Sequence, residues 1–332
     1  MRIAVDAMGG DKAPGVIIAG AIQAAQEYEI DIILVGKKDL IEKKLAVYKK
    51  VPKNISVLNA EEVIEMNESP AVSVRRKKDS SINVAVKMVK EKKADAIVSA
   101  GNTGAVVCAA SLFLKSLPGI ARPGISVLVP TLKGMIQLID VGANIDAKPE
   151  HLLQYAIMGS VYTNAVLNRD NPKVGLLNIG EEETKGPEFV KETFKLLEQN
   201  KNINFIGNVE GRDIFTGNCD VIVCDGFLGN VVLKVSEGLA DTIKEMLKRK
   251  LSSNIVTKFG ALLAASAFRS LKKDIDYSEY GGAPLLGIDG VCIIAHGGSS
   301  AKAIKNAIRV SREYLLHNVN QHIIELVTNN KT

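Results

Sequence analysis

Short apolar runs alternate along the chain with amphipathic segments of helical length. Segments such as Pro14–Glu27, Ser80–Lys92, Pro149–Leu167 and Pro187–Gln199 are long enough for helices. Apolar, β-branched runs predict strands at Asp31–Val35, Ile55–Asn59, Ala94–Ser99, Ile125–Val129, Met135–Val141, Lys173–Asn178, Asn204–Asn208, Val221–Asp225 and Val291–His296. Nearly continuous apolar runs suit strands that are covered on both faces. The alternation predicts a doubly wound α/β fold, with a mostly parallel sheet between helices.

One turn and one long segment modify this picture. Thr131–Gly134 lies between two apolar runs and has the composition of a hairpin turn, so the sheet is expected to be mixed. Residues 229–275 are helical in composition and lack a strand-like run. We treat residues 1–332 as one domain from which residues 229–275 protrude as a helical hairpin.

The protruding hairpin combines apolar positions with basic ones. The apolar set includes Leu251, Ile255, Phe259, Leu262 and Leu263, and basic residues stand around it at positions 249, 250, 258, 269, 272 and 273. Such a face packs in a core or a dimer interface, whereas a basic amphipathic helix rests on anionic lipid. We expect dimer contact, membrane contact or both.

Composition indicates a globular cytoplasmic protein. Hydrophobic residues make up 46% of the chain and Trp is absent, which argues against an aromatic nucleic-acid platform. The formal charge of +5 favours acidic partners such as phosphates, anionic lipid or an acidic protein. The four cysteines form no C-x-x-C pair, no signal peptide is evident, and no apolar run approaches the roughly 20 residues of a membrane span.

Polar, glycine-rich loops follow the predicted strands. Asp6–Asp11 follows the short apolar run Arg2–Val5, which predicts a strand, and brings two carboxylates and two glycines to one turn. Similar loops begin at Ser99, Asp140, Asn178, Asp225 and His296. Ligands of doubly wound sheets gather at the carboxyl ends of strands. We therefore expect these loops to converge on one edge as an anion-binding pocket, although Asp6 and Asp11 can equally serve as a turn brace and a helix N-cap.

The cations and histidines beside these loops are the further candidates. Lys148 and Lys185 each precede a Pro-initiated helix and can meet phosphate as point charges. His151 and His296 adjoin the loops, where each can be a chemical or a structural residue. The basic run Arg75, Arg76, Lys77 and Lys78 is either a solvated face or a dock for an acidic carrier protein or anionic substrate.

The motifs in combination resemble the bacterial phosphate acyltransferase family, in which acyl carrier protein donates the acyl group. The resemblance spans nearly the whole chain and rests on Asp6–Asp11, Arg75–Ser81, Ser99–Ala105, Leu138–Asn144, Lys148–His151, Gly207–Arg212, Asp225–Lys234 and Tyr280–Ala283. The resemblance implies transfer of a long-chain acyl group from acyl carrier protein to inorganic phosphate, giving acyl phosphate for phospholipid synthesis. It also implies a homodimer, peripheral membrane association, a downstream glycerol-3-phosphate acyltransferase in the membrane, and a fold like that of isocitrate dehydrogenase and phosphotransacetylase.

This chemistry needs no protein nucleophile and no cofactor, because phosphate itself attacks the thioester. We assign catalysis to Lys185, Asn230 and His151, with Lys185 and Lys148 holding phosphate, Asn230 and Asn102 donating hydrogen bonds and His151 assisting protonation. The expected binding residues are Asp6, Gly9, Gly10, Gly101, Asn102, Thr103, Gly104, Asp140, Asn144, Lys148, Gly180, Gly229 and His296. Asp6 and Asp11 alone are a thin argument for Mg²⁺, so no metal is predicted.

Three alternatives stay open at this point. A relative within the same sequence group forms acetyl phosphate as a component of glycine reductase. A non-catalytic sensor of acyl carrier protein or lipid would bind without phosphate-dependent turnover. A dehydrogenase would share the fold, but the G-x-G-x-x-G fingerprint of dinucleotide binding is absent from the chain.

Overall fold

A computed structural model describes residues 1–268, 270 and 281–329. Within these residues, eleven strands form a sheet in the order β3-β2-β1-β4-β11-β10-β5-β6-β9-β7-β8. Their bounds are β1 Arg2–Asp6, β2 Asp31–Gly36, β3 Ile55–Asn59, β4 Ala96–Ser99, β5 Gly124–Thr131, β6 Gly134–Ile139, β7 Lys173–Asn178, β8 Asn204–Glu210, β9 Val221–Val223, β10 Ala283–Leu286 and β11 Val291–Ile294. The predicted strands are confirmed, with small differences at their ends.

Helices cover both faces of the sheet, as the apolar runs predicted. They are α1 Gly15–Tyr28, α2 Lys38–Leu45, α3 Pro70–Arg76, α4 Ser81–Lys90, α5 Thr103–Phe113, α6 Pro149–Leu167, α7 Glu188–Gln199, α8 Gly226–Leu251, α9 Ile255–Leu263, α10 Ala301–Leu316 and α11 Val319–Asn329. Along β1, Ile3 and Val5 join the core formed with α1, α6 and α10, whereas Ala4 joins the core formed with α4 and α5. This alternation follows from the two-residue period of a strand.

The sheet reverses its direction at the strands in its middle. The hairpin at Thr131–Gly134 is confirmed and makes β5 and β6 antiparallel. A strand that the sequence pattern missed, β10, runs antiparallel to both β11 and β5. Because the pairs β1–β4, β4–β11, β6–β9 and β7–β9 are parallel, β1, β4 and β11 run one way while β6, β9 and β7 run the other.

This reversal corrects the expected position of the polar loops. The loops after β1, β4 and β11 lie at carboxyl ends that point in one direction, and those after β6, β7 and β9 lie at carboxyl ends that point in the opposite direction. The expectation of one shared edge is therefore wrong. The loops form two groups, which we call the first cluster (after β1, β4 and β11) and the second cluster (after β6, β7 and β9).

Candidate functional site

The first cluster is held together by a buried carboxylate at the end of β1. Asp6 accepts hydrogen bonds from Ser99 Oγ at 2.7 Å and from the Met8 backbone N–H at 3.1 Å. Burial raises the pKa of Asp6, and hydrogen bonds from Ser81 and Ser99 oppose that rise. Asp6 thus braces the turn, which is the structural role that the sequence left open.

Glycines let the loops of the first cluster approach one another closely. A Cβ at Gly9 would lie 2.5 Å from Asp6 Oδ2 and 2.5 Å from the Gly101 nitrogen. Gly10 has a φ of +105°, which favours glycine, and the next N–H, of Asp11, donates to the Gly297 carbonyl at 2.9 Å. The loops after β1, β4 and β11 therefore meet, as the sequence predicted for these three polar loops.

Asn102 and Gly104, two first-cluster residues that were expected to bind substrate, make structural contacts instead. Asn102 is the N-cap of α5: its Oδ1 accepts the Ala105 N–H at 3.0 Å, and its Nδ2 lies 3.2 Å from each of three carbonyls in the loop before α3. Gly104 packs under α3, since a Cβ there would lie 2.6 Å from Pro70 Cγ. Thr103 is exposed in the first turn of α5, and His296 Nδ1 accepts the Gly298 N–H at 3.1 Å.

The second cluster is organised around Asp140, which follows β6 and is fully buried. Its Oδ1 accepts backbone N–H groups of Ile125, Gly142 and Ala143 at 2.9–3.1 Å, and its Oδ2 accepts that of Asn144 at 2.7 Å. Burial raises the pKa of Asp140, while these four donors favour its ionised form. Asp140 therefore shapes the loop instead of presenting a free carboxylate to a ligand.

Asn144 connects this loop to the two helices beside it. Its Nδ2 donates to the hydroxyl of Tyr155 on α6 at 2.7 Å, and its carbonyl accepts the Gly226 N–H at the start of α8 at 2.8 Å. Asp225 caps α8 by accepting the N–H groups of Phe227 and Leu228, each at 2.9 Å. This cap explains why β9 ends at Val223 and not at the predicted Asp225.

Helix α8 begins so close to the β6 loop that only glycine fits at position 229. A Cβ there would overlap the Asp140 carbonyl oxygen and would lie 2.9 Å from Cys224 Sγ. The next residue, Asn230, is exposed, and its Nδ2 would lie 3.5 Å from a Cβ added at Gly142. Close packing at Gly229 thus presents the Asn230 amide beside the glycine turn that follows Asp140.

Lys185 occupies the loop that follows β7. Its carbonyl accepts a hydrogen bond from Asn178 Nδ2 at 3.1 Å, and its N–H donates to the Glu182 carbonyl at 3.1 Å. Gly180 is buried under the Lys185 side chain, since a Cβ there would lie 3.1 Å from Lys185 Cγ. The Lys185 ammonium is exposed and forms no ion pair with the part of the chain that the structure describes.

Lys148 and His151 form the start of α6. The Lys148 backbone N–H donates to His151 Nδ1 at 3.1 Å, and the His151 backbone N–H donates to the Lys148 carbonyl at 2.9 Å. Burial, followed by the nearby Arg122 charge, lowers the pKa of His151. At neutral pH the ring is therefore uncharged, and with Nδ1 accepting, Nε2 carries the proton and can donate a hydrogen bond. The Lys148 side chain is exposed.

Comparison with known proteins identifies the family. The family model described as "Fatty acid synthesis protein" matches residues 1–322. The chain belongs to this family. It is 53% identical over 330 residues to a phosphate acyltransferase of Geotalea uraniireducens, covering 99% of this chain and 95% of that protein, and 54% identical over 328 residues to one of Heliobacterium modesticaldum, covering 97% and 98%.

A solved structure shares the fold of this family member. The phosphotransacetylase of Streptococcus pyogenes aligns with a TM-score of 0.64 at 19% identity, over 97% of this chain and 94% of that chain. The predicted likeness to the phosphotransacetylase group is thus confirmed at the level of fold. At this identity, the match concerns the architecture and not the individual site residues.

The predicted basic dock is smaller than its sequence suggests. Arg75, Arg76 and Lys78 are exposed where α3 ends. Lys77, in contrast, is half-buried, donates to the Val63 carbonyl at 2.6 Å and pairs with Glu68, so its inclusion as a free docking cation is wrong. The chain turns back at this point onto α4, and one of the four consecutive basic side chains therefore points inward.

Helices α8 and α9 form the described part of the predicted hairpin. Ile255, Phe259, Leu262 and Leu263 on α9 are 62–85% exposed, and α8 presents exposed apolar residues at a four-residue spacing from Phe227 to Ile243. Residues 269 and 271–275 of the prediction, and Tyr280 of the family motifs, lie outside the described residues. In the described ranges, we find no helix whose length and hydropathy suit a bilayer crossing.

Sequence reasoning missed several residues that build both clusters. Ser99 donates to Asp6, Tyr155 accepts from Asn144, and Asn208 on β8 donates to the loop of Lys185. Ser99 and Asn178 are polar residues that end apolar strands, and the sequence analysis placed polar loops at both without giving either residue a role of its own. Asn208 likewise ends the predicted strand Asn204–Asn208, but its partner Glu182 lies 26 residues away, and the sequence pattern does not indicate that contact. Tyr155 lies inside the predicted helix Pro149–Leu167, where the pattern does not mark it.

Proposed function

We propose that the chain transfers a long-chain acyl group from the thioester of acyl carrier protein to inorganic phosphate, giving acyl phosphate for phospholipid synthesis. The observation that carries this proposal is the similarity to phosphate acyltransferases over 99% of the chain. The enzyme is an acyltransferase, and the acidic carrier protein is the donor that its exposed basic residues favour.

The second cluster is the proposed reaction site. A phosphate oxygen attacks the thioester carbonyl carbon, the carbon–sulfur bond breaks, and the carrier thiolate leaves and takes up a proton from solvent. Lys185 and Lys148 offer exposed ammonium groups to phosphate, and the Asn230 amide can donate to the carbonyl oxygen as negative charge develops there. Neutral His151 can donate a hydrogen bond to phosphate or to the leaving sulfur.

Turnover of acyl carrier protein thioester, with acyl phosphate trapped as its hydroxamate, tests the site. We expect Lys185→Ala and Asn230→Ala each to lower phosphate-dependent turnover by about 100-fold or more with the fold intact, since each removes a group aimed at developing charge. Lys201→Ala, which removes another exposed lysine, is the matched control. Wild-type turnover in both site variants would remove the two residues from the site. A thioester that stays intact both with and without phosphate would contradict the activity itself.

Carrier docking is proposed at the exposed basic residues where α3 ends. Double charge reversal of Arg75 and Arg76 to Glu is expected to raise the KM for the acidic carrier substrate at least tenfold and to leave kcat nearly unchanged, because such charges mainly govern encounter. The matched control reverses Lys49 and Lys50, two adjacent exposed lysines that precede β3. Equal KM values for the two double variants would contradict docking at this surface.

The α8–α9 hairpin is proposed to support a homodimer and peripheral binding to anionic membranes in the cytoplasm. The exposed apolar side chains of α9 are available to insert among lipid headgroups, and the face of α8 can pack against a second copy. Membrane binding would bring acyl phosphate to the membrane glycerol-3-phosphate acyltransferase. Phe259→Glu should abolish flotation with anionic vesicles, and unchanged flotation would contradict the membrane contact of α9. Val235→Glu should shift the sedimentation of the protein towards monomer, and unchanged sedimentation would contradict the dimer contact of α8.

A further inference from the structure

Two buried asparagines bracket the loop that carries Lys185. On one side, Asn178 Nδ2 donates to the Lys185 carbonyl at 3.1 Å. On the other, Asn208 Nδ2 donates to the Glu182 carbonyl at 3.1 Å and lies 3.5 Å from that of Glu181. Because the Lys185 N–H also donates to the Glu182 carbonyl, the two amides hold both ends of one tight turn.

The sheet places both asparagines on the same face. In the β7–β8 pairing, Leu176 lies beside Asn208, and the register is shifted between Val174 and Leu176. Gly207 has a φ of +99°, which accommodates the extra residue of this bulge in β8. Since side chains alternate along a strand, Asn208 shares its face with Leu176 and Asn178, directly under the loop.

The position of Asn208 carries an energetic cost that packing alone does not explain. Its Oδ1 is buried and has no hydrogen-bond partner in the described structure, and an unpaired buried acceptor is unfavourable. An apolar residue of the same size would avoid this cost but would also remove the Nδ2 donor. The useful part of the side chain is therefore the amide N–H that holds the loop.

We propose that Asn208 is a positioning residue that, with Asn178, fixes the 182–185 turn and so holds the Lys185 ammonium at the phosphate site. The inference rests on the proposed role of Lys185 in phosphate transfer. The loop is otherwise exposed from Glu181 to Lys185 and carries three consecutive glutamates at positions 181–183. A fixed turn keeps the ammonium directed at phosphate, where a loose loop would allow it to pair with its neighbouring carboxylates.

Asn208→Leu is the variant that tests this role. It removes the donor together with the unpaired oxygen, and the released carbonyls belong to exposed residues that can bond water, so the fold is expected to persist. We expect kcat/KM for inorganic phosphate to fall about tenfold with the KM for the acyl carrier substrate unchanged, because small displacements of a positioning group are costly in rate. Asn208→Ala should give the same result, and it is the control for a leucine side chain that is too large for the site.

A control and a double variant separate positioning from a general structural effect. Asn204 lies on the same strand, and its Nδ2 donates to the Asn171 carbonyl at 3.0 Å, remote from the Lys185 loop, so Asn204→Leu should leave the phosphate dependence unchanged. In a Lys185→Ala background, Asn208→Leu should cause no further loss, since it acts through the missing lysine.

The possible outcomes distinguish this inference from the function on which it rests. An impaired Lys185→Ala enzyme together with wild-type phosphate kinetics in both Asn208 variants would overturn the positioning role alone. Additive losses in the double variant would overturn it too, since Asn208 would then act independently of Lys185. A Lys185→Ala enzyme with wild-type turnover would overturn both the inference and the proposed role of Lys185.

Discussion

The contact between Gly229 and the Asp140 carbonyl makes a sharp prediction about how helix position controls activity. In Gly229→Ala the new methyl group would overlap the Asp140 carbonyl oxygen, and its other close neighbour is Cys224 Sγ at 2.9 Å. The Asp140 carbonyl is backbone at the buried end of β6, so it cannot rotate away. The first turn of α8 must therefore shift by on the order of 1 Å, at a cost of about 1–3 kcal/mol in stability.

The same shift moves Asn230, the next residue of the helix, away from the turn at Gly142. A displacement of that size in a group that stabilises developing charge lowers turnover by about 10- to 100-fold. Both quantities are measurable, the stability by urea unfolding and the turnover by hydroxamate trapping of acyl phosphate. We expect the two losses to occur together in Gly229→Ala.

Gly238→Ala on the same helix is the matched control. A Cβ at this position has no neighbour within 4 Å, so alanine should stabilise the helix by about 0.5–1 kcal/mol and leave turnover unchanged. If Gly229→Ala matched Gly238→Ala in both stability and turnover, the argument that close packing of α8 sets the position of Asn230 would be refuted.

Two further predictions concern the second cluster. Asp140→Asn should lower the free energy of unfolding in urea by about 2–4 kcal/mol, because the new amide sets an N–H against backbone N–H donors. Asp146→Asn, at an exposed position, is the control and should have little effect. Equal losses in the two variants would contradict the structural role of Asp140. The lowered pKa of folded His151 means that the unfolded chain binds more protons below about pH 6.5, so stability should fall on acidification through that range. His151→Gln, which can still accept the Lys148 N–H, should reduce that dependence, unlike exposed His317→Gln; an unchanged pH profile would count against it.

Local sequence pattern predicted most of the secondary structure because burial on two faces selects apolar, β-branched strands. The run Lys173–Asn178 is a strand with the predicted bounds, and the Thr131–Gly134 turn forms the predicted hairpin. The short strand Ala283–Leu286 escaped because it contains a proline and has only four residues, of which two pair with β11 and two with β5. Its pairing depends on partners that the local pattern does not specify.

The family and the residue types of the candidate site were available from the sequence, since glycines and polar residues follow apolar strands there. Which of these residues share a site was decided by tertiary structure. The antiparallel strands between β11 and β6 reverse the sheet and separate the loop of Asp6 from that of Asp140. Contacts between separate segments also turned Lys77 inward and set Asn208 beneath Lys185. Spacing along the chain records neighbours within one element, whereas strand order and direction depend on packing of the whole chain.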